Sequence, residues 1–242
     1  MKVLVADEDF NCRYTILDAL AQTGVELLSA NNGEEAWERL KGSDPPRLAI
    51  LSRALPELDG LEISQKIRRA QARDYTYVVL LSAHHGKASM LAAFEAGVDD
   101  YVVKPVSSDE ILARVQVGRR SLEKEDRLSM INQQWRTMID NLPFGLACLG
   151  QEGEIWRVNK VFAEQLGLDL KDIIGKTLRG TVLHGIEDHR LLLEKLRRSE
   201  DFDSVEMQMM HHDGRPRRVI VWGRRVEHSG ALTFQIITSV QP

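Results

Sequence analysis

The chain has 242 residues, enough for two ordinary domains, and its 43% hydrophobic and 28% charged residues are normal for a globular protein. A net charge of −4 gives no reason to expect binding to nucleic acid or an anionic membrane. Its two cysteines, Cys12 and Cys148, lack CxxC or Cys/His spacing, no apolar run approaches the ~18 residues of a membrane span, and the start is a strand pattern rather than a signal peptide, so a cytoplasmic, disulfide-free protein is the expectation.

In chain order, Val3–Ala6 reads as an apolar strand, Cys12–Thr23 as a helix and Glu26–Ala30 as a weak strand. Gly33–Lys41 is helical, Leu48–Leu51 a strand, Leu61–Arg69 a helix and Tyr77–Ser82 a β-branched strand. Lys87–Ala96 is helical, Tyr101–Val103 a strand and Ser108–Gly118 a helix. Strands alternating with helices of about ten residues predict a doubly wound, five-stranded parallel sheet covered on both faces. Its strands are continuously apolar, as that burial requires. The working edge of such a sheet lies beyond the carboxyl ends of its strands. Asp7 and Glu8, Ser52, Ser82, and Lys104 before Pro105 all fall on that edge.

These residues carry a resemblance to the receiver domains of two-component response regulators, over essentially all of residues 1–119. An acidic pair (Asp7-Glu8) follows the first strand. Leu48–Leu51 leads into an acceptor loop with Pro56 and Asp59-Gly60, then come Ser82-Ala83, Glu95–Tyr101 and Lys104-Pro105. The resemblance implies a phosphoacceptor at position 52, a magnesium ion held by Asp7, Glu8 and the acceptor, a switch hydroxyl at Ser82, a switch aromatic at Tyr101 and a phosphoryl contact at Lys104. Position 52, however, is serine where the family has aspartate. A serine hydroxyl is neutral, weakly nucleophilic without a base, and would yield a stable ester in place of a labile acyl phosphate. Losing one of three carboxylates also weakens a site for magnesium, which demands hard oxygen ligands and dehydrates reluctantly. A pseudo-receiver with a weakened magnesium site is the expectation. An ordinary receiver with an engineered Asp-to-Ser change at Ser52 is the alternative.

Residues 120–140 read as a helical linker. Leu128, Ile131, Trp135, Met138 and Leu142 recur at 3-4-3-4 spacing, the a/d seam of a short parallel coiled coil and hence of a homodimer. An amphipathic helix lying on its own domain is the competing reading. Leu122 is out of phase with the seam.

Residues 141–242 begin with strands Phe144–Leu149 and Ile155–Val158, then a helix Asn159–Leu166 ended by Gly167. An amphipathic helix Asp188–Arg198 precedes three strands, Ser204–His211, Arg217–Glu227 and Ala231–Val240, with turns at Asp213-Gly214 and Ser229-Gly230. This order resembles a PAS domain, an α+β fold with an antiparallel sheet. Gly153-x-Ile155, Asn159-Lys160-x-Phe162, Ile173–Lys176 and His212–Arg215 carry the resemblance. PAS domains bind haem, flavin, small acids or nothing, and the sequence does not identify a ligand here. Cys148 is in the first strand, away from a flavin-reactive position. His184 and His189 are read as loop residues rather than haem ligands. His211 and His212, as neighbours on a strand, are expected to face opposite ways and not to chelate together. Trp156 and Trp222 are read as core or interface aromatics.

The sequence therefore points to a non-enzymatic signalling protein of two-component type. Its receiver would bind protein partners, a histidine kinase or a downstream regulator, without phosphotransfer, and its PAS domain would sense or dimerise. A PAS ligand or cofactor sensor, and the input half of a larger diguanylate cyclase or histidine kinase, are the alternatives.

Overall fold

The computed structural model describes residues 1–70, 75–150, 152–178, 190–192, 194–195, 198, 201–228 and 231–240. They divide into two compact units, Met1–Ser129 and Met130–Pro242.

In the first unit, strands Lys2–Ala6 (β1), Glu26–Ala30 (β2), Leu48–Ser52 (β3), Tyr77–Ser82 (β4) and Asp100–Val103 (β5) alternate with helices Phe10–Ala21 (α1), Gly33–Leu40 (α2), Gly60–Arg69 (α3), Lys87–Glu95 (α4) and Ser108–Asp140 (α5). The strands are all parallel, in the order β2-β1-β3-β4-β5. Every residue of the central strands β3 and β4 is buried. Alternate side chains feed two cores. Leu4, Ala49, Leu51 and Leu80 pack with Ala36 of α2, Ile63 of α3 and Ala93 of α4, while Val5, Ile50 and Val79 pack with Ile16 and Leu20 of α1 and Ile111 of α5. The chain order reverses between β1 and β3, so the carboxyl ends of those strands flank the crevice where such sheets place their sites.

Helix α5 runs 33 residues, well past the predicted end at Gly118. Leu122 is buried in the first unit's core with Val115 and Tyr77. One turn on, the Arg47 guanidinium donates to Asp126 Oδ1 at 2.8 Å and to the Tyr75 carbonyl at 2.8 Å. The receiver thus holds the helix to Asp126, beyond the expected boundary at 119. This also explains why Leu122 falls out of phase with the seam, since it faces the receiver.

The second unit is an antiparallel sheet of strands Gly145–Leu149 (β6), Ile155–Val158 (β7), Phe202–Met210 (β8), Pro216–His228 (β9) and Ala231–Val240 (β10), in the order β7-β6-β10-β9-β8. Helices Lys160–Leu166 (α6) and Leu170–Ile173 (α7) supply Phe162, Leu166 and Ile173 to its inner core, with Ala147, Val221 and Ile236 from the sheet. Five of the eleven residues of the expected helix Asp188–Arg198, and the turn Ser229-Gly230, lie outside the described residues.

If Leu122 belongs to the receiver core, Leu122→Ala should destabilise the protein by about 2–5 kcal/mol in urea denaturation, the range for truncating a buried leucine. Arg120→Ala, one turn-face away and exposed, should stay within about 0.5 kcal/mol of wild type. Equal effects from the two substitutions would return the boundary to residue 119.

Candidate functional site

Each strand end delivers its residue by local chemistry. Asp7 leaves β1 with its amide donating to the Ala30 carbonyl at 3.3 Å, and its side chain is fully buried. Asp9 then caps α1, accepting from the Asn11 amide at 2.8 Å. Ser52 ends β3 and is 2% exposed. The loop after it is held by the Arg53 amide on the Leu81 carbonyl at 2.8 Å and closes into α3 through a reciprocal capping box between Asp59 and Glu62. Gly60 opens that helix so close to β3 that a Cβ there would lie 2.5 Å from the Ser52 carbonyl oxygen. Only glycine permits the approach, which is the physical content of the Asp59-Gly60 pair.

Lys104, entering from the end of β5, brings these parts together. Its ammonium lies 2.6 Å from Asp7 Oδ2 and donates to Ser52 Oγ at 3.0 Å. The other Asp7 oxygen, Oδ1, accepts from the Asp9 amide at 3.1 Å. A fully buried carboxylate needs a countercharge, and Lys104, with 22% of its side chain exposed, supplies it. Cys12 of α1 adjoins the same carboxylate. Burial first, and then the hydrogen bond to Asp7, push its thiol up to about 12, so it is not a nucleophile at neutral pH. Glu8 is exposed and makes none of the contacts that hold this cluster.

This donor set fits a magnesium ion poorly. Asp7 Oδ1 is taken by the Asp9 amide, Oδ2 is buried without a hydrogen bond and faces the Lys104 ammonium, the hydroxyl of Ser52 carries no charge, and Glu8 is exposed. Among the described residues, no three His, Cys, Asp or Glu side chains are gathered closely enough to hold a metal.

Ser82 and Tyr101 meet on one residue that the sequence did not single out. Ser82 Oγ accepts from the His84 amide at 3.1 Å, and Tyr101 donates its hydroxyl to the His84 carbonyl at 2.8 Å. Both side chains are buried, Ser82 at 2% and Tyr101 at 9% exposure, so the β4–α4 loop is tied through both backbone groups of one residue.

On α5 the seam side chains Leu128, Ile131, Trp135 and Met138 are exposed, whereas Leu142 is half-buried and lies past the helix end at Asp140, so it does not continue the seam. The outer face of the second sheet carries a groove of about 540 Å³ lined by Phe144, Trp222, Ile237 and Arg224. Trp222 lines this groove half-buried, and Trp156 is 50% exposed. Asn159 is buried and fully satisfied. Its Oδ1 accepts from the Leu146 and Phe162 amides at 2.8 and 2.9 Å, and its Nδ2 donates to the Ile139 and Phe144 carbonyls at 2.9 and 3.0 Å.

The structure corrects the reading of His211 and His212. Strand β8 ends at Met210, so the pair lies in the turn, where strand alternation no longer applies. The rings meet edge-to-face with centroids 4.5 Å apart. His184 and His189 lie outside the described residues.

Comparison with known proteins matches these two units to two families. The family described as the response regulator receiver domain matches residues 3–116, and the PAS fold matches residues 133–239. The chemotaxis protein CheY1 of Helicobacter pylori is 31% identical over 118 residues, covering 48% of this chain and 95% of that protein. The response regulator MprA of Mycobacterium avium is 32% identical over 126 residues, 52% of this chain and 54% of that protein. Among solved structures, the receiver domain of the Francisella response regulator 1452 aligns with a TM-score of 0.46 at 30% identity, over 50% of this chain and 98% of that one. The PAS domain of an HTR-like protein from Haloarcula marismortui aligns with a TM-score of 0.44 at 24% identity, over 49% and 98%. The chain belongs to the response regulator receiver domain family of two-component signalling, and a PAS fold follows the receiver.

Proposed function

We propose that the receiver is a protein-interaction module that works without phosphotransfer and without resident magnesium, in a non-enzymatic signalling protein. The observation that carries this reading is the Lys104 ammonium, shared between Asp7 at 2.6 Å and Ser52 Oγ at 3.0 Å. One buried carboxylate faces one ammonium, so the charges at the strand ends balance with no added ion. The hydroxyl at the acceptor position accepts a hydrogen bond from that ammonium, and Cys12, the other nearby nucleophile, is held protonated. No described group is placed as a base to activate Ser52. What remains available to a partner is the surface, a histidine kinase or downstream regulator being the partner class that a receiver implies.

The helix and the PAS domain are proposed as the dimerisation half of the molecule. Leu128, Ile131, Trp135 and Met138 are 41–62% exposed in the single chain, and each such side chain is worth roughly 1.5–3 kcal/mol on full burial. Their 3-4-3 spacing favours a second copy of the same helix, in parallel register, as the covering surface.

Incubation with acetyl phosphate and magnesium should leave the wild-type receiver unmodified by intact-mass measurement. Ser52→Asp should bind beryllofluoride in a magnesium-dependent way and take up a hydroxylamine-sensitive phosphoryl group, because positioning and countercharge are already present. A wild-type protein that gains a hydroxylamine-sensitive phosphoryl group would refute the pseudo-receiver. A Ser52→Asp protein that binds neither magnesium nor beryllofluoride would show that more than one residue separates this pocket from a working one.

Light scattering tests the second proposal. Wild type should run as a dimer at tens of micromolar, and the double variant Ile131→Asp, Met138→Asp as a monomer. Monomeric wild type under those conditions would mean that the seam packs within its own chain.

A further inference from the structure

We infer that the corner between the C-terminus of α6 and the β8–β9 turn is a two-imidazole site for a borderline divalent transition metal, with Zn²⁺ the first candidate. The turn is built on a fixed frame. The His212 amide donates to the Leu166 carbonyl at 2.8 Å, the His211 amide to the Arg215 carbonyl at 3.1 Å, and the Gly214 amide to the His211 carbonyl at 2.9 Å. Those bonds bring two adjacent imidazoles against Gly167, the left-handed cap of α6 at φ +68°.

Gly167 shows where the ring nitrogens point. A Cβ at this position would lie 2.2 Å from His212 Nδ1 and 2.5 Å from His211 Nε2. Two nitrogens from different rings therefore border one small space left open by the missing side chain. They can be no further apart than the sum of those two distances, and metal–imidazole bonds of about 2.0–2.1 Å bridge such a pair after modest χ rotation.

Asp213 lies against the outer nitrogen of His211. Its Oδ1 is 3.0 Å from Nδ1, and its own amide donates to the same nitrogen at 3.4 Å. Once an ion at Nε2 places the ring proton on Nδ1, that carboxylate is positioned to accept it, the arrangement that orients metal-binding histidines. Asp213 is itself placed by the Arg215 amide, which donates to its Oδ1 at 2.9 Å. His211 is 9% exposed and so is fixed in place, whereas His212 is exposed and open to an incoming ion.

The neighbourhood limits what the site can be. A cavity of about 360 Å³ beside the rings is lined also by Met210, Asp172 and Lys176. Asp172 favours a cation and Lys176 opposes one. As no third His, Cys, Asp or Glu among the described residues completes a metal cluster, water would fill the remaining positions. Two imidazoles plus water suit Zn²⁺, Ni²⁺ or Cu²⁺ and not the hard ion of a receiver pocket. Such a site is exchangeable, and an ion there would pin the β8–β9 turn to the end of α6.

Calorimetric titration of the full chain with zinc chloride tests this. Wild type should bind one ion per chain. His212→Gln, at an exposed position that should not disturb folding, should weaken binding at least ~10-fold, and Asp213→Asn, which removes only the orienting carboxylate, by about 10–100-fold. The double variants His84→Gln, His85→Gln and His184→Gln, His189→Gln should bind as wild type does. Absence of zinc binding by wild type, binding unaffected by His212→Gln, or binding lost in either control pair would overturn the site.

Discussion

A fully buried carboxylate cannot be left alone, and the receiver half is arranged around that requirement at Asp7. The sheet is buried on both faces, so the only polar edge its central strands have is at their carboxyl ends. Asp7 sits there with no solvent to share its charge. Lys104 supplies the compensation from the end of β5, two strands away from β3. Removing one partner from a buried pair costs about 3–5 kcal/mol, a large share of a domain's stability, so the lysine is a structural necessity before it is anything else. In a receiver with an aspartate at position 52, a second buried carboxylate would compete for that lysine, and an added cation would have a reason to be there. In the proposed pseudo-receiver the balance closes at Ser52 without one. Serine in place of aspartate there would change the acceptor's chemistry and also the charge logic of the pocket.

The same economy reaches the β4–α4 loop. Ser82 and Tyr101 spend their hydrogen bonds on the amide and carbonyl of His84. A buried phenol or hydroxyl without a partner costs about 1–3 kcal/mol, so neither side chain leaves its place unless a new partner is offered. In the proposed pseudo-receiver no phosphoryl oxygen comes to compete for Ser82, and the loop keeps the shape in which His84 bridges the two.

Strand order and strand burial were legible from Leu48–Leu51 and Tyr77–Ser82, because continuous apolar runs between helical segments admit few other folds. The topology places Asp7, Ser52, Ser82 and Lys104 at strand ends on one edge, where contacts join Asp7, Ser52 and Lys104. Contacts joined by hydrogen bonds across the chain left no periodic trace. Nothing in the order of residues marks His84 as the meeting point of Ser82 and Tyr101, or Asn159 as a four-bond hub. Local rules also misplaced edges. Helix α1 starts at Phe10 because Asp9 caps it, two residues before the apolar pattern begins. Gly118 looked like a helix end but is interior to α5. His211 and His212 were read by strand alternation one residue past the point where the strand stops.

Helix α5 takes its constraints from both ends. At the first, Leu122 in the receiver core and the Arg47–Asp126 pair set its rotation. At the other, Asn159 accepts from the amides of β6 and α6 while donating to the Ile139 carbonyl, and Asp140 Oδ1 accepts from the Lys160 amide at 2.9 Å. Capping the last turn of a helix from within a domain core fixes that turn to the core, since its orphan carbonyls have no intrahelical partner. Between Arg127 and Met138 the helix presents its apolar side chains outward and is held by neither anchor. In the proposed dimer, this exposed stretch is the one a second chain would cover, since neither anchor uses its apolar side chains.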